Sequence, residues 1–386
     1  MNIRGIDVFS GRLIEIEIKD GHIGRIATVG DDIGSERETL PYVSPGFFDI
    51  QVNGYRGSDY SLEDFSEDHV GRIISTLAQS GTTQHIPTIV TSPKGRILRN
   101  LETISKARRR SGRVYEAIPG MHVEGPFLSP DDGPRGAHNE RYIRDPDFNE
   151  FEEWQAAAEG GIVYVTVAPE RRGAIAFIER VAATGVVVSL GHHNARDEDV
   201  RRAVDAGARM STHLGNGSHT SLPRLKNYLW QQLANDELTA SIISDGFHLP
   251  AYVAKVIART KGLERLILVS DVAHFGGYEP GVYQREGREV EVFNDGHLGL
   301  PGTTILAGAA HLLDWDIPHF IEFTGHGLNE AVKLCTQNPA KIIKMPPGYG
   351  ELKEGISANL CLFRYAPGDE RLSIEKTICA GEVVFD

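Results

Sequence analysis

The chain is poor in cysteine, has no long apolar run and carries no excess of positive charge, and each shortage closes off a class of function. Only three cysteines occur in 386 residues, Cys335, Cys361 and Cys379, and no two stand in a CxxC spacing. An odd, scattered set supports neither a disulfide framework nor a cysteine-rich zinc site. No apolar stretch reaches the ~20 residues needed to cross a bilayer. The opening Met-Asn-Ile-Arg-Gly-Ile-Asp lacks the apolar core of a secretion signal, so a cytoplasmic protein is expected. A formal net charge of −13 disfavours nonspecific binding to nucleic acid or to an acidic membrane. Any anionic small molecule must then be met by a local cluster of donors. The most basic run, Lys106 to Arg110 with Arg113, falls on a predicted helix and reads as a solvated face. No internal repeat or low-complexity segment stands out.

Short runs rich in Val, Ile and Thr, bounded by Gly, Pro or Asn, recur near 47–53, 83–90, 117–124, 161–168, 185–192, 208–213, 239–245 and 265–271. They read as buried strands. Helix-like stretches separate most of them, among them 67–79, 174–183, 197–206 and 251–259. Eight units of roughly 30 residues match the strand-helix repeat of a (β/α)8 TIM-like barrel. Continuously apolar strands fit a parallel sheet covered on both faces. The ends differ: Leu13-Ile14-Glu15-Ile16-Glu17-Ile18 alternates, with turns expected at Asp20-Gly21 and Asp31-Asp32. Short strands are also expected at 359–363, 376–379 and 382–385. The expected organisation is a small β-sandwich from residues 1–44 plus 352–386, with the barrel, residues 45–351, inserted between them. A further hairpin is expected near 282–298.

Several apolar runs end on residues that bind metal or move protons: Glu124, His192, His213 and Asp271. Neutral imidazole and carboxylate suit zinc, and three protein ligands leave a position for water. In this fold the C-terminal ends of different strands converge on one mouth, which would gather ligands remote in sequence. The pattern points to a metal-dependent hydrolase. Strand alternation alone leaves His192 and His193 open as ligands. His122 shares a strand face with Glu124 and reads as a packing or supporting residue. Gln51 and Asn53 read either as turn residues or as lining of the metal mouth.

The stretches Pro45-Gly46-Phe47-Phe48-Asp49-Ile50-Gln51-Val52-Asn53-Gly54, His122-Val123-Glu124-Gly125-Pro126 and Gly136-Ala137-His138-Asn139 resemble the N-acetylglucosamine-6-phosphate deacetylase family of the amidohydrolase superfamily. So do Gly191-His192-His193-Asn194-Ala195, Thr212-His213-Leu214, Asp245-Gly246-Phe247-His248 and Leu268-Val269-Ser270-Asp271. The resemblance covers nearly the whole chain. It implies one divalent ion, with zinc as the default, on Glu124, His192 and His213; Gln51 and Asn53 stand where most of the superfamily has His-x-His, which disfavours a second metal. It implies that water activated at the metal attacks an acetamide while Asp271 takes and returns its proton and His138 supports the oxyanion. The sugar phosphate would meet Ala137, His138, Asn216, Gly217, His248 and the 306–308 backbone of Leu306, Ala307 and Gly308. Relatives are often homodimers, so a homodimer is expected, with no nucleic-acid or membrane partner.

The chain departs from the family in the phosphate region. Ser221 stands where the family usually has arginine before its Pro-Gly-Leu stretch, and Gly215 and Gly217 replace the usual tyrosine and alanine. Arg224 or Lys226 would then serve the phosphate, or the substrate would lack one. His274, three residues after Asp271, is another difference. The expected activity is deacetylation of N-acetylglucosamine 6-phosphate. The alternatives are a related amidohydrolase for another N-acetyl sugar or N-acyl amino acid and, more remotely, a non-catalytic binding barrel.

Overall fold

Eight short strands with almost no exposed residue lie side by side in chain order: β1 (Phe47–Val52), β2 (Thr82–Val90), β3 (Met121–Glu124), β4 (Ile162–Val167), β5 (Val187–Leu190), β6 (Ala208–Ser211), β7 (Thr239–Ile242) and β8 (Leu266–Leu268). The structure, a computed structural model, describes residues 1–29, 39–285 and 287–386. Every neighbouring pair is parallel. Parallel pairing needs a crossover, and helices such as Glu67–Leu77, Ala174–Ala183, Asp197–Asp205 and Ala251–Lys261 supply it. Each of these presents one apolar face to the sheet, as Val70, Ile73, Ile74 and Leu77 do on the first.

The sheet closes where β1 meets the chain beyond β8. Val52 bridges Val272 in parallel, Asp271 N–H donates to Gln51 O (3.0 Å), and Asn53 N–H donates to Val272 O (3.0 Å). Nearer the other end this seam is not paired strand to strand. Instead Phe48 N–H donates to Cys335 O (2.7 Å) and Leu268 N–H to Leu334 O (3.0 Å), so a turn from late in the chain satisfies both strands. Phe48, Ile50, Ile86, Tyr164, Val187, Met210 and Ile267, drawn from six of the strands, pack as one cluster inside the barrel. The barrel is filled, and only its rim is open to chemistry.

The β-structure at the two ends forms one hydrogen-bonded seven-stranded set that folds over on itself into the small sandwich expected of the two termini. Its order is Glu382–Phe385, Ser373–Cys379, Leu360–Arg364, Tyr42–Pro45, Asn2–Asp7, Leu13–Lys19 and His22–Thr28. Tyr42–Pro45 joins the halves, running parallel to Asn2–Asp7 and antiparallel to Leu360–Arg364. The sheet rolls over: Ile23 N–H donates to Ile356 O (2.9 Å) and Gly355 N–H to Ile23 O (2.7 Å). Ile16, Val43, Leu360 and Ile378 are sealed within. Asp20 (φ 51°) and Gly21 (φ 77°) make the two-residue hairpin loop whose left-handed backbone matches strand twist. The turn expected at Asp31-Asp32 lies outside the described residues.

Two other expectations shift. Residue 117 ends a short helix, Gly112–Ala117, because Ser111 Oγ accepts from Val114 N–H and caps it; β3 starts only at Met121. The hairpin near 282–298 is three-stranded, Gly281–Arg285, Arg288–Val292 and Leu298–Gly299. Among the described residues no helix is long and apolar enough to cross a membrane.

Gly81, just before β2, sits where barrel and terminal sheet touch. Its φ is +81°, and an added Cβ would lie 2.5 Å from Cys361 Sγ and 3.0 Å from Phe47 Cε2. Gly81→Ala is expected to cost about 2–4 kcal/mol, combining left-handed strain with overpacking. Urea denaturation checks this, and an unchanged midpoint would refute it.

Candidate metal centre

The strand ends aim four titratable side chains at one point on the rim. Glu124 is the last residue of β3, His192 and His213 lie two residues beyond β5 and β6, and Asp271 three beyond β8. All four are buried. His192 (φ 51°), His213 (φ 28°) and Asp271 (φ 51°) adopt left-handed backbone, which is sparsely allowed for non-glycine residues. Each costs of order 1–3 kcal/mol and is held by its surroundings. The left-handed step breaks strand alternation just past the ladder, redirecting each side chain into the mouth.

His213 Nε2 lies 3.1 Å from Glu124 Oε1 and 3.0 Å from His192 Nε2, and His192 Nε2 lies 3.3 Å from Glu124 Oε1. Ligand atoms about 3.3 Å apart are what a tetrahedral ion with bonds near 2.0–2.1 Å requires. His192 Nδ1 faces Pro134 O at 2.8 Å, and a carbonyl only accepts, so the proton sits on Nδ1. The Nε2 lone pair therefore points at the other two ligand atoms, an arrangement that repels unless a cation or proton sits between them. Glu124, His192 and His213 are also the one group of metal-ligating type found this close among the described residues. The donor set fits a divalent ion with nitrogen and oxygen ligands.

The His192/His193 alternative resolves by direction. His193 turns into the wall, edge-on to Tyr228 (4.9 Å) and bonded to the Gln232 side chain; burial pushes its pKa down to about 4. His122 lies beneath the mouth, stacked on Tyr164 (3.7 Å), with Thr88 Oγ1 at 3.1 Å and Thr166 Oγ1 at 2.9 Å. Burial lowers its pKa to about 3 and keeps it neutral.

Gln51 and Asn53 are buried in the mouth and are not surface turn residues. Gln51 Nε2 donates to both Glu124 oxygens (3.2 Å each) and to Asp271 Oδ1 (3.1 Å). Asn53 Nδ2 donates to Asp271 Oδ1 (2.7 Å). Burial opposes ionisation of Glu124, but its two imidazole neighbours, His192 and His213, outweigh it and hold its carboxyl well below the usual range. Burial, together with the negative charge of Glu124, moves Asp271 the other way, above an ordinary aspartate. Two carboxyl groups in one mouth are thus driven apart, one a lasting anion and the other readier to accept a proton.

Around this core lie the other predicted residues. His138 Nε2 is 3.3 Å from His192 Nε2 and its Nδ1 is 2.9 Å from Thr91 Oγ1; Ala137 precedes it in the same loop. Asn216 Nδ2 is buried with no partner among the described residues, a donor left for something else. Gly217 backs onto the His192 ring, where a Cβ would come within 2.6 Å of Nδ1. His248 Nδ1 is 2.7 Å from Asp245 Oδ2. Gly308 lies against the Asp271 carbonyl, with Leu306 and Ala307 leading to it from the three-stranded excursion. Arg224, Ser221 and Lys226 are exposed and outside the buried cluster. His274 packs edge-on against Phe275 (4.6 Å). The Pro134 carbonyl and the Thr91 hydroxyl leave no mark in the sequence, because nothing local shows which distant atom will orient an imidazole.

Residues 42–384 match the amidohydrolase family. The chain is 30% identical to N-acetylglucosamine-6-phosphate deacetylase of Bacillus subtilis (strain 168), over 95% of this chain and 93% of that one. It is 28% identical to N-acetylgalactosamine-6-phosphate deacetylase of Escherichia coli O157:H7, over 90% and 89%. A mutant of N-acetyl-D-glucosamine-6-phosphate deacetylase from Mycobacterium smegmatis, solved with N-acetyl-D-glucosamine-6-phosphate, superposes with a TM-score of 0.87 at 27% identity, covering 100% of this chain and 99% of that one. A family match that spans the barrel, with full-length similarity to named deacetylases, makes this chain a member of the amidohydrolase family, within its N-acetylglucosamine-6-phosphate deacetylase group.

Proposed function

We propose that the protein hydrolyses the acetamide of N-acetylglucosamine 6-phosphate, giving glucosamine 6-phosphate and acetate. The observation that carries this reading is the pairing of a three-ligand cluster with Asp271, whose Oδ1 is fixed by both Gln51 and Asn53. A divalent ion on Glu124, His192 and His213, with zinc the expected one, would polarise the amide carbonyl and acidify a water. Asp271 does the proton work through Oδ2, the oxygen that Gln51 and Asn53 leave free. It accepts the proton of the attacking water and delivers it to the departing amine, so one carboxyl serves both steps. His138, oriented by Thr91, presents Nε2 toward the carbonyl oxygen as negative charge grows there. Asn216 Nδ2 donates to the sugar phosphate, which explains why it is buried without a partner among the described residues. His248, braced by Asp245, and Ala137, Gly217 and the 306–308 backbone complete the sugar-binding wall.

The phosphate is met by Arg224 or Lys226, which flank the exposed Leu225 on the loop after β6. The matched E. coli relative, named for the galactosamine epimer, favours a second reading in which the same chemistry acts on that sugar. The protein acts as a homodimer. Leu225 (78% exposed), Tyr252 (73%), Trp230 (50%) and Val256 (46%), on this loop and on the packed helices Tyr228–Ala234 and Ala251–Lys261, are the exposed apolar side chains that a second copy would cover.

Four outcomes are expected. Asp271→Asn keeps one metal per chain by elemental analysis but loses at least about 10³-fold in kcat; near-normal acetate release would refute the role. Acetate release from N-acetylglucosamine 6-phosphate should exceed that from N-acetylglucosamine and from the galactosamine epimer. Arg224→Ala with Lys226→Ala should raise KM about 10-fold for phosphorylated sugar only, and an unchanged KM removes both cations from the site. Sedimentation should give twice the chain mass, reduced by Tyr252→Glu; a monomeric wild type would overturn the dimer.

A further inference from the structure

Asp49 lies on β1, fully buried, and has no place in the chemistry described above. Its carboxylate stands at the seam where the barrel closes. Oδ1 accepts from Gln51 N–H (3.2 Å) and from Ser270 N–H (3.3 Å), and Oδ2 accepts a short hydrogen bond from Ser270 Oγ. Ser270 Oγ in turn accepts from Val272 N–H (3.2 Å). One carboxyl group therefore grips the backbone of the residue carrying the Gln51 amide and the backbone immediately before and after Asp271.

The position matters because this seam has little else. The parallel bridge between β1 and the chain after β8 is one residue pair, Val52 with Val272, helped by the Asp271 to Gln51 and Asn53 to Val272 backbone bonds. Lower down, β1 and β8 turn to Cys335 and Leu334 instead of to each other. Between these points the Asp49 carboxylate takes over the work of a ladder. Asp271 also holds a left-handed backbone, which must be pinned on both sides to persist. Burial raises the Asp49 pKa to about 7, opposed by its bonds to Ser270 and Gln51, so the chain holds a carboxyl here at a cost that packing alone does not repay.

We propose that Asp49 is a positioning residue: by tying the ends of β1 and β8 together it sets the angle at which Gln51 and Asp271 face the Glu124–His192–His213 cluster. It acts through these residues and touches no reacting atom. The inference rests on the reading of Asp271 as the proton-transfer group.

The test compares metal-loaded wild type, Asp49→Asn, Ser270→Ala and, as a control for simple loss of packing, Ile86→Val inside the barrel. Asn keeps the shape of Asp49 but surrenders one acceptor, and Ser270→Ala removes only the hydroxyl link. Expected for Asp49→Asn is a kcat fall of about 10²-fold with KM and metal content within about 3-fold of wild type, since a misplacement near 1 Å has an effect of that size. Ser270→Ala should fall between wild type and Asp49→Asn. Ile86→Val should lower the melting temperature with kcat unchanged. Hydrogen exchange gives a readout independent of turnover: the amides of Gln51 and of 270–272 should lose protection in Asp49→Asn and keep it in Ile86→Val. The proposal is overturned if Asp49→Asn retains kcat, or if its exchange rises evenly through the barrel. A wild type that releases no acetate from the phosphorylated sugar instead overturns the substrate reading, and the exchange pattern still decides the seam.

Discussion

Everything at the rim of this barrel follows from one repulsion. Two imidazole nitrogens and a carboxylate oxygen point at a common centre 3.0–3.3 Å from one another, with a second carboxylate close by. Buried away from water, such a set is costly unless something positive joins it. The protein supplies part of the answer itself. The Gln51 amide donates to both carboxylates, Asn53 donates to one, and the Pro134 carbonyl fixes the tautomer of His192. The remaining demand is for a cation, and the fold keeps a place whose donors suit it.

The rest of the architecture serves that geometry. A filled interior stops solvent from reaching the mouth from below, and the strand ends deliver their residues from separate parts of the chain. Left-handed backbone at His192, His213 and Asp271 redirects side chains that regular strands would send elsewhere. Strain of this kind survives only where neighbours hold it, and here the neighbours are backbone bonds such as His213 N–H to Ser241 Oγ (2.8 Å) and Asp271 N–H to Gln51 O (3.0 Å).

Much of this was legible in the sequence, for a reason that can be named. Parallel barrel strands are apolar on both faces, so each shows as a short Val/Ile-rich run, and a polar residue ending such a run is conspicuous. Glu124 after Met121-His122-Val123 and His213 after Met210-Ser211-Thr212 are of this sort. Pattern could not separate His192 from His193, because alternation breaks down at a left-handed residue, and it is backbone angle that turns one in and the other out. The late turn at Leu334 and Cys335 that completes β1 and β8 left no trace, because its contribution is two carbonyl groups and any residue has one. Arg224 and Lys226 lie on an exposed loop, where packing imposes no pattern that would mark their use.

The strand Tyr42–Pro45 bears on how the molecule is made. Its antiparallel neighbour, Leu360–Arg364, is synthesised more than three hundred residues later. At ribosomal rates of 5–20 residues per second, that wait is roughly 15–60 s. Through it the N-terminal strands have both edges open, since Ile23 also waits for Gly355 and Ile356, and the apolar faces of Ile16 and Val43 lack Leu360 and Ile378. The barrel can form while the edges wait, but the terminal sheet is sealed only when the last strands emerge. The exposed charges of Glu15, Glu17, Lys19 and Arg25 suit the outer face of that half-built sheet to water in the interval, a task invisible in the finished protein.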